Sequence, residues 1–334
     1  MYDIITIGAA TRDLFITSRK FKTKRDDTSP TDVDLVLPLG SKINLDSIIF
    51  ETGGGATNAA VTFARQGLKT ACITRVGDDP GGKATVESLA AEGVDTGLVI
   101  KDKQNYTAYS IILVTATGER TILVYRGASS HFNDEMLPKS KLDTKWVFIS
   151  SLAGNVSLLS GLVNWADKHG LKTALVPGSS ELARGKKVLA PIFSKSDVVI
   201  MNREEAALLT AIPFDKKEKI VHKMCLISRG ISVITDARNG ATVCDREFVY
   251  HVGTHGNPAV DRTGSGDAFA SGFVAGLIRF QNVEGALELA ADNASNVVNF
   301  FGAKQGILHA GQKPFKEKLK VTKSPIKRKT LVYT

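Results

Sequence analysis

Short apolar runs rich in branched residues recur along this chain, separated by longer segments of helical spacing. Residues 4–7, 70–76, 146–150, 172–176, 197–201 and 232–235 have the length and continuity of strands buried on both faces. Residues 157–169, 268–280 and 284–299 carry helix patterns, and a run of small residues reaching Gln66 is stopped by Gly67. The repeated strand–helix order predicts a parallel sheet with helices on both faces. Two regions break that order. Residues 16–50 are polar from Arg19 to Asp34 and then alternate weakly, while residues 107–115 and 121–125 alternate around the turn Thr117-Gly118-Glu119-Arg120. Alternation marks half-exposed strands, so these regions are expected to pair into a small β lid above the strand ends. Such a cover can keep water away from the strand ends beneath it.

With 334 residues, 43% hydrophobic and 23% charged, the chain suits one large α/β domain with a small appendage. The formal charge of +9 changes this picture little. Residues 311–334 hold eight Lys or Arg against one acid, which leaves the body at about +2 and makes the basic segment a solvated, mobile end in this reading. Nucleic acid is therefore not an expected partner. Cys72, Cys225 and Cys244 are scattered, odd in number and without metal-like spacing, as expected of reduced thiols in a cytoplasmic protein. No basic cleavable leader precedes residue 4, and no apolar run reaches membrane-spanning length.

The chemistry concentrates in Val260-Asp261-Arg262-Thr263-Gly264-Ser265-Gly266-Asp267-Ala268-Phe269, where a glycine-rich turn enters a helix. Unsatisfied N–H groups and the positive end of the helix dipole make this a place for an anion. A carboxylate beside an anion site suits a general base acting on an attacking hydroxyl. On the local pattern alone, a loop with Asp267 as a helix N-cap reads equally well. A second stretch, Gly77-Asp78-Asp79-Pro80-Gly81-Gly82-Lys83-Ala84, comes close to a P-loop but fails on chemistry. Ala84 has no hydroxyl for magnesium, Pro80 has no N–H, and two aspartates would repel phosphate.

The string Asp261 to Asp267 resembles the Asp-Thr-x-Gly-Ala-Gly-Asp signature of the ribokinase, or phosphofructokinase-B-type, sugar kinases. Gly8 to Asp13 is similar to the family's opening Gly-x-x-x-x-Asp, Gly53-Gly54 with Asn58 to its Gly-Gly-x-x-x-Asn, and Asn202 with Glu205 to its Asn-x-x-Glu. The resemblance covers residues 3 to 308. It implies a ribokinase-like three-layer α/β/α sandwich over residues 1–310, with a mostly parallel central sheet, a lid from about 16–50 and 105–127, and a basic tail at 311–334. It implies ATP-dependent transfer of the γ-phosphoryl group to a primary hydroxyl of a sugar or sugar derivative.

In this reading Asp267 is the base, and Gly264, Ser265 and Gly266 stabilise the phosphoryl group. Asp13, Gly53, Gly54 and Asn58 hold the sugar, while Asn202, Thr235, Gly240 and Asn293 hold the nucleotide. Glu205 acts on magnesium through water, and Asp261 is the candidate ligand of a monovalent cation such as potassium. Arg262 and Ser265 fill the variable places of the signature, and two departures stand out: ribokinases proper place an acid where this chain has Ser150-Ser151-Leu152, and Ala237 replaces a glycine of the nucleotide loop. A nucleoside kinase of the same fold, with Tyr106 or Tyr109 stacking on the base, and a non-catalytic sugar or nucleotide sensor are the alternatives. Unpaired lid edges suit a homodimer.

Overall fold

The computed structural model describes residues 1–28, 32–134, 137–138 and 142–326. Its main sheet has nine strands in the order Thr322–Pro325, Phe248–Val252, Ala241–Cys244, Ile231–Thr235, Val198–Asn202, Lys172–Leu175, Thr144–Ile149, Tyr2–Ile7 and Thr70–Ile73. The last six are mutually parallel and the first three run antiparallel.

The two-residue period of a strand sends successive side chains to opposite faces, and both faces are apolar. Ile5, Ile7, Val147, Ile149 and Val199 pack on one side, with Leu158, Leu162, Ile192, Leu209 and Ile220 from helices Val156–Lys168, Lys186–Phe193, Arg203–Thr210 and Lys217–Cys225. Ile4, Phe148, Val198, Ile200 and Val233 pack on the other, with Phe63, Phe273 and Leu287 from helices Gly55–Arg65, Ser265–Phe280 and Val283–Val297. Three layers result.

The strand Tyr2–Ile7 sits between Thr144–Ile149 and Thr70–Ile73. The chain therefore leaves it toward one side and later returns on the other, opening a crevice at the carboxyl ends beyond Ile7 and Ile149. A four-stranded sheet of Arg120–Tyr125, Ala108–Val114, Thr11–Thr17 and Ser47–Gly53 rises from that crevice. Its strand Thr11–Thr17 starts shortly after Ile7, and Ser47–Gly53 runs into helix Gly55–Arg65. The middle of residues 16–50 is not in this lid, since Lys22–Arg25 and Val33–Val36 pair separately.

Two sequence expectations are corrected. Cys225 and Cys244 form a disulfide joining the end of a helix to the end of a strand, and only Cys72 of the three is free. The cysteines therefore give no argument for a reducing compartment. The basic segment is not a free end up to Ile326: Thr322–Pro325 completes the sheet, and Leu319 and Val321 pack on the second face of the core. Residues 327–334 lie outside the described part. Among the described residues, no helix is long and apolar enough to cross a membrane.

Candidate active site

Asp13 lies inside the first lid strand rather than in a turn, and only 5% of it is exposed. Thr11 Oγ1 donates to its Oδ1 at 2.9 Å. Burial pushes its carboxyl above the ordinary aspartate range, against the opposing hydrogen bonds of Thr11 and Ser110. Gly53 makes room for this carboxylate, because a Cβ there would stand 2.0 Å from Asp13 Oδ2. Gly54 caps helix Gly55–Arg65, whose Asn58 donates from Nδ2 to Asp267 Oδ2 at 2.8 Å. Asn58 Oδ1 is buried and has no protein partner, an acceptor left for a ligand hydroxyl.

The opposite wall is helix Ser265–Phe280, which begins earlier than the sequence pattern suggested. Gly264 is its N-cap, with φ at 76°, and a Cβ there would strike that of Ala303 at 2.3 Å. Ser265, Gly266 and Asp267 thus form the first turn, so their N–H groups have no intrahelical acceptor. Ser265 Oγ turns back to the Arg262 carbonyl at 3.0 Å. A Cβ on Gly266 would meet nothing within 4 Å, so bare backbone faces open space. Burial raises the Asp267 carboxyl, the Asn58 hydrogen bond and the Lys304 charge lower it, and Asp13 raises it.

Two cavities meet at Thr235 and Gly266. The larger, about 540 Å³, is lined by Thr235, Ala237, Gly240, Arg262, Ser265 and Ser295 among others. That volume suits a nucleotide-sized ligand. The smaller, about 290 Å³, brings Ser150, Asn202, Glu205, Gly266 and Asp267 together.

Asn202 and Glu205 form a capping box at the start of helix Arg203–Thr210: Glu205 N–H donates to Asn202 Oδ1 at 2.8 Å and Asn202 N–H to Glu205 Oε2 at 2.9 Å. Burial pushes the Glu205 carboxyl up. Among the described residues no three His, Cys, Asp or Glu cluster as a metal cage. A single fixed carboxylate beside a phosphate-sized space fits magnesium, which retains water and binds phosphate oxygens.

Ala237 opens a short turn, Ala237–Asn239, with φ at 45°. The loop keeps the left-handed shape of a glycine despite the methyl group. Asp236 N–H bonds to the Gly240 carbonyl at 2.7 Å, and Arg203 braces the Asp236 carboxylate at 3.0 Å.

Other expected residues fare differently. Asn293 is fully buried, with Nδ2 on the Ala268 carbonyl at 2.8 Å and Oδ1 taking Leu308 N–H at 2.9 Å, so it presents no surface to a nucleotide. Its helix meets the larger cavity through Ala291, Ala294 and Ser295 instead. Asp261 is also buried, but Arg120, Thr263 and Gly302 occupy it. An acid does reach Ser151, supplied by Glu181, but Ser151 and the N–H groups of Leu152, Gly154 and Gly178 use its oxygens. Tyr109 lies over Gly81, and Tyr106 is 69% exposed.

Lys304 was not anticipated. Nearly buried beneath the Gly53-Gly54 turn, it donates to the Thr52 carbonyl at 2.6 Å and to the Thr52 and Thr57 hydroxyls at 2.9 Å. Burial lowers its pKa to about 8. A lone cation between Ala303 and the apolar Ile307-Leu308 was the available signal.

The family model described as pfkB family carbohydrate kinase matches residues 3–309. The chain belongs to this family. It is a phosphotransferase with an alcohol acceptor. A ribokinase of Staphylococcus aureus is 28% identical over 76% of this chain and 84% of its own length. A deoxyribokinase of Salmonella typhi is 26% identical over 71% and 78%. Among solved structures, Arabidopsis thaliana ribokinase complexed with ribose and ATP shares 19% identity at a TM-score of 0.78, covering 92% of this chain and 96% of that one. Adenosine kinase from Sinorhizobium meliloti shares 23% at 0.73, covering 91% and 95%. These likenesses make the fold ribokinase-like.

Proposed function

We propose that this kinase transfers the γ-phosphoryl group of ATP to a primary hydroxyl of a sugar or sugar derivative, with Asp267 as general base. The supporting observation is the position of Asp267. It is bonded to Asn58 of the glycine turn on one side and lines the cavity containing Gly266 and Glu205 on the other.

The acceptor is held by Asp13 and Asn58 over Gly53 and Gly54, placing its hydroxyl against Asp267. A raised carboxyl is well matched to taking that proton. The N–H groups of residues 264–267 and the end of a 16-residue helix face the charge that develops on the moving phosphoryl oxygens. Thr235, Gly240 and Asn202 border the nucleotide. Glu205 would hold magnesium through water, and the bound ion would supply charge neutralisation at the phosphates. The lid excludes water from the closed site.

ATP consumption over a panel of pentoses, hexoses, sugar phosphates and nucleosides tests the reading, with Asp267→Asn as the blank. Turnover with one acceptor class that disappears in Asp267→Asn supports it; turnover retained within a few-fold removes Asp267 from the role. A nucleoside acceptor is the second reading, favoured by the likeness to an adenosine kinase. Ala237 itself takes a left-handed φ of 45°, which weakens the motive for the sensor alternative.

We also propose a homodimer through the lid. The edge strand Arg120–Tyr125 exposes Ile122, Leu123, Val124 and Tyr125 by 45–60%, and Ile48 and Phe50 are exposed on the opposite edge. Unpaired apolar edges of this kind invite strand pairing.

A further inference from the structure

Asp261 sits at the entrance to the anion-binding turn with 4% of its side chain exposed. Four donors reach it. Oδ1 accepts from the Arg120 guanidinium, from Thr263 N–H at 2.9 Å and from Thr263 Oγ1 at 2.8 Å, while Oδ2 accepts from Gly302 N–H at 3.0 Å. The same Arg120 Nη1 lies 2.9 Å from Thr263 Oγ1. Oδ1 is filled by three of these donors and Oδ2 keeps a single lone-pair site, too little for a metal ion that the adjacent guanidinium would also repel. The residues present therefore do not fit a monovalent cation at Asp261.

A buried carboxylate still requires a nearby positive charge. Arg120 provides it from the first position of the lid's edge strand, 141 residues earlier in the chain. We propose that the Arg120 guanidinium is a built-in substitute for a monovalent cation, carried on the lid and holding the anion-binding turn in shape through Asp261. Arg120 is a positioning residue: it holds Asp261, Asp261 holds the Thr263 backbone, and Thr263 leads into Gly264 and the helix N-terminus. The charge that fixes the turn is thus carried by the cover of the site.

The test is thermal unfolding of the ligand-free protein in potassium chloride and in choline chloride at equal ionic strength. The parent is expected to melt alike in both salts. Arg120→Ala should melt lower in choline and recover in potassium, by about 2 °C or more for a site well above half-filled. Arg120→Lys should behave like the parent, and Arg120→Gln serves if the alanine variant does not fold. A parent stabilised by potassium over choline overturns the proposal. So does an Arg120→Ala protein, or the glutamine variant in its place, that melts alike in both salts. The proposal rests on the kinase reading of this site, but the measurement needs no turnover, so failure to find an acceptor would leave its result intact.

Discussion

Asp267 and Asp13 are both held above the ordinary aspartate range by burial, close to Lys304, whose pKa burial lowers. For an acid whose folded pKa is raised, the folded state binds more protons. Its contribution to stability is present below the unfolded pKa and is lost as pH rises through the folded value. Asp267→Asn should therefore raise the melting temperature at neutral pH while reducing turnover roughly a thousand-fold, checked by calorimetry beside a steady-state assay. Lys304→Met should move the acidic limb of kcat/KM to higher pH, because the cation that lowers Asp267 and Asp13 would be gone. An unmoved limb would leave Lys304 with a packing role only. For Lys304 itself the sign reverses. Its folded pKa lies below the unfolded one, so its contribution improves as pH rises from about 8 to the ordinary lysine range. Ala237→Gly should stabilise by up to about 1 kcal/mol, since an L-residue in left-handed backbone costs about 1–2 kcal/mol and glycine returns part of that as unfolded-chain entropy. Denaturant unfolding reads the difference.

The contrast between what the sequence disclosed and what it hid is clear among these elements. Asp267, the glycine turns and the Asn202–Glu205 capping box are local strings, each confined to one turn, and their spacing is their geometry. Lys304 and Arg120 act across 252 and 141 residues respectively, and no local pattern encodes such pairings. Asn293 misled for the opposite reason. A polar residue on an amphipathic helix reads as exposed, yet two backbone groups from other segments satisfy it in the core. The lid strands were legible from alternation, whereas the antiparallel pair Lys22–Arg25 and Val33–Val36 was not, because the first is wholly polar and exposed and no residue of the second is buried. The strand Thr322–Pro325 was hidden by its lysine-rich surroundings, and its four residues are all exposed. Just upstream, Phe315 stacks on His255 with ring centroids 3.6 Å apart, and His255 Nε2 lies 2.7 Å from Asp292 Oδ1. His255 stands beside Thr254 and Gly256 in the wall of the larger cavity. Phe315→Ala should therefore raise the KM for ATP several-fold and leave the acceptor KM unchanged, since a ring pair contributes about 0.5–1.5 kcal/mol.

At the scale of the whole molecule, the parallel sheet and its two covering layers followed from the order of apolar runs. That order is a global property, robust to errors of a residue or two at each end. The antiparallel extension did not follow, because the connections between Ile231–Thr235, Ala241–Cys244 and Phe248–Val252 are too short to hold helices. The lid edges carry the proposed self-association. Leu123→Asp combined with Val124→Lys should yield a monomer in analytical ultracentrifugation, while a parent that is itself monomeric at micromolar concentration would remove the dimer. The segment after residue 310 has a structural consequence of its own. Phe315 stacks on His255 beside the larger cavity, and Thr322–Pro325 pairs with Phe248–Val252 at the sheet edge. Removing this segment should therefore loosen the cavity wall and the antiparallel edge together, while the parallel strands keep their packing.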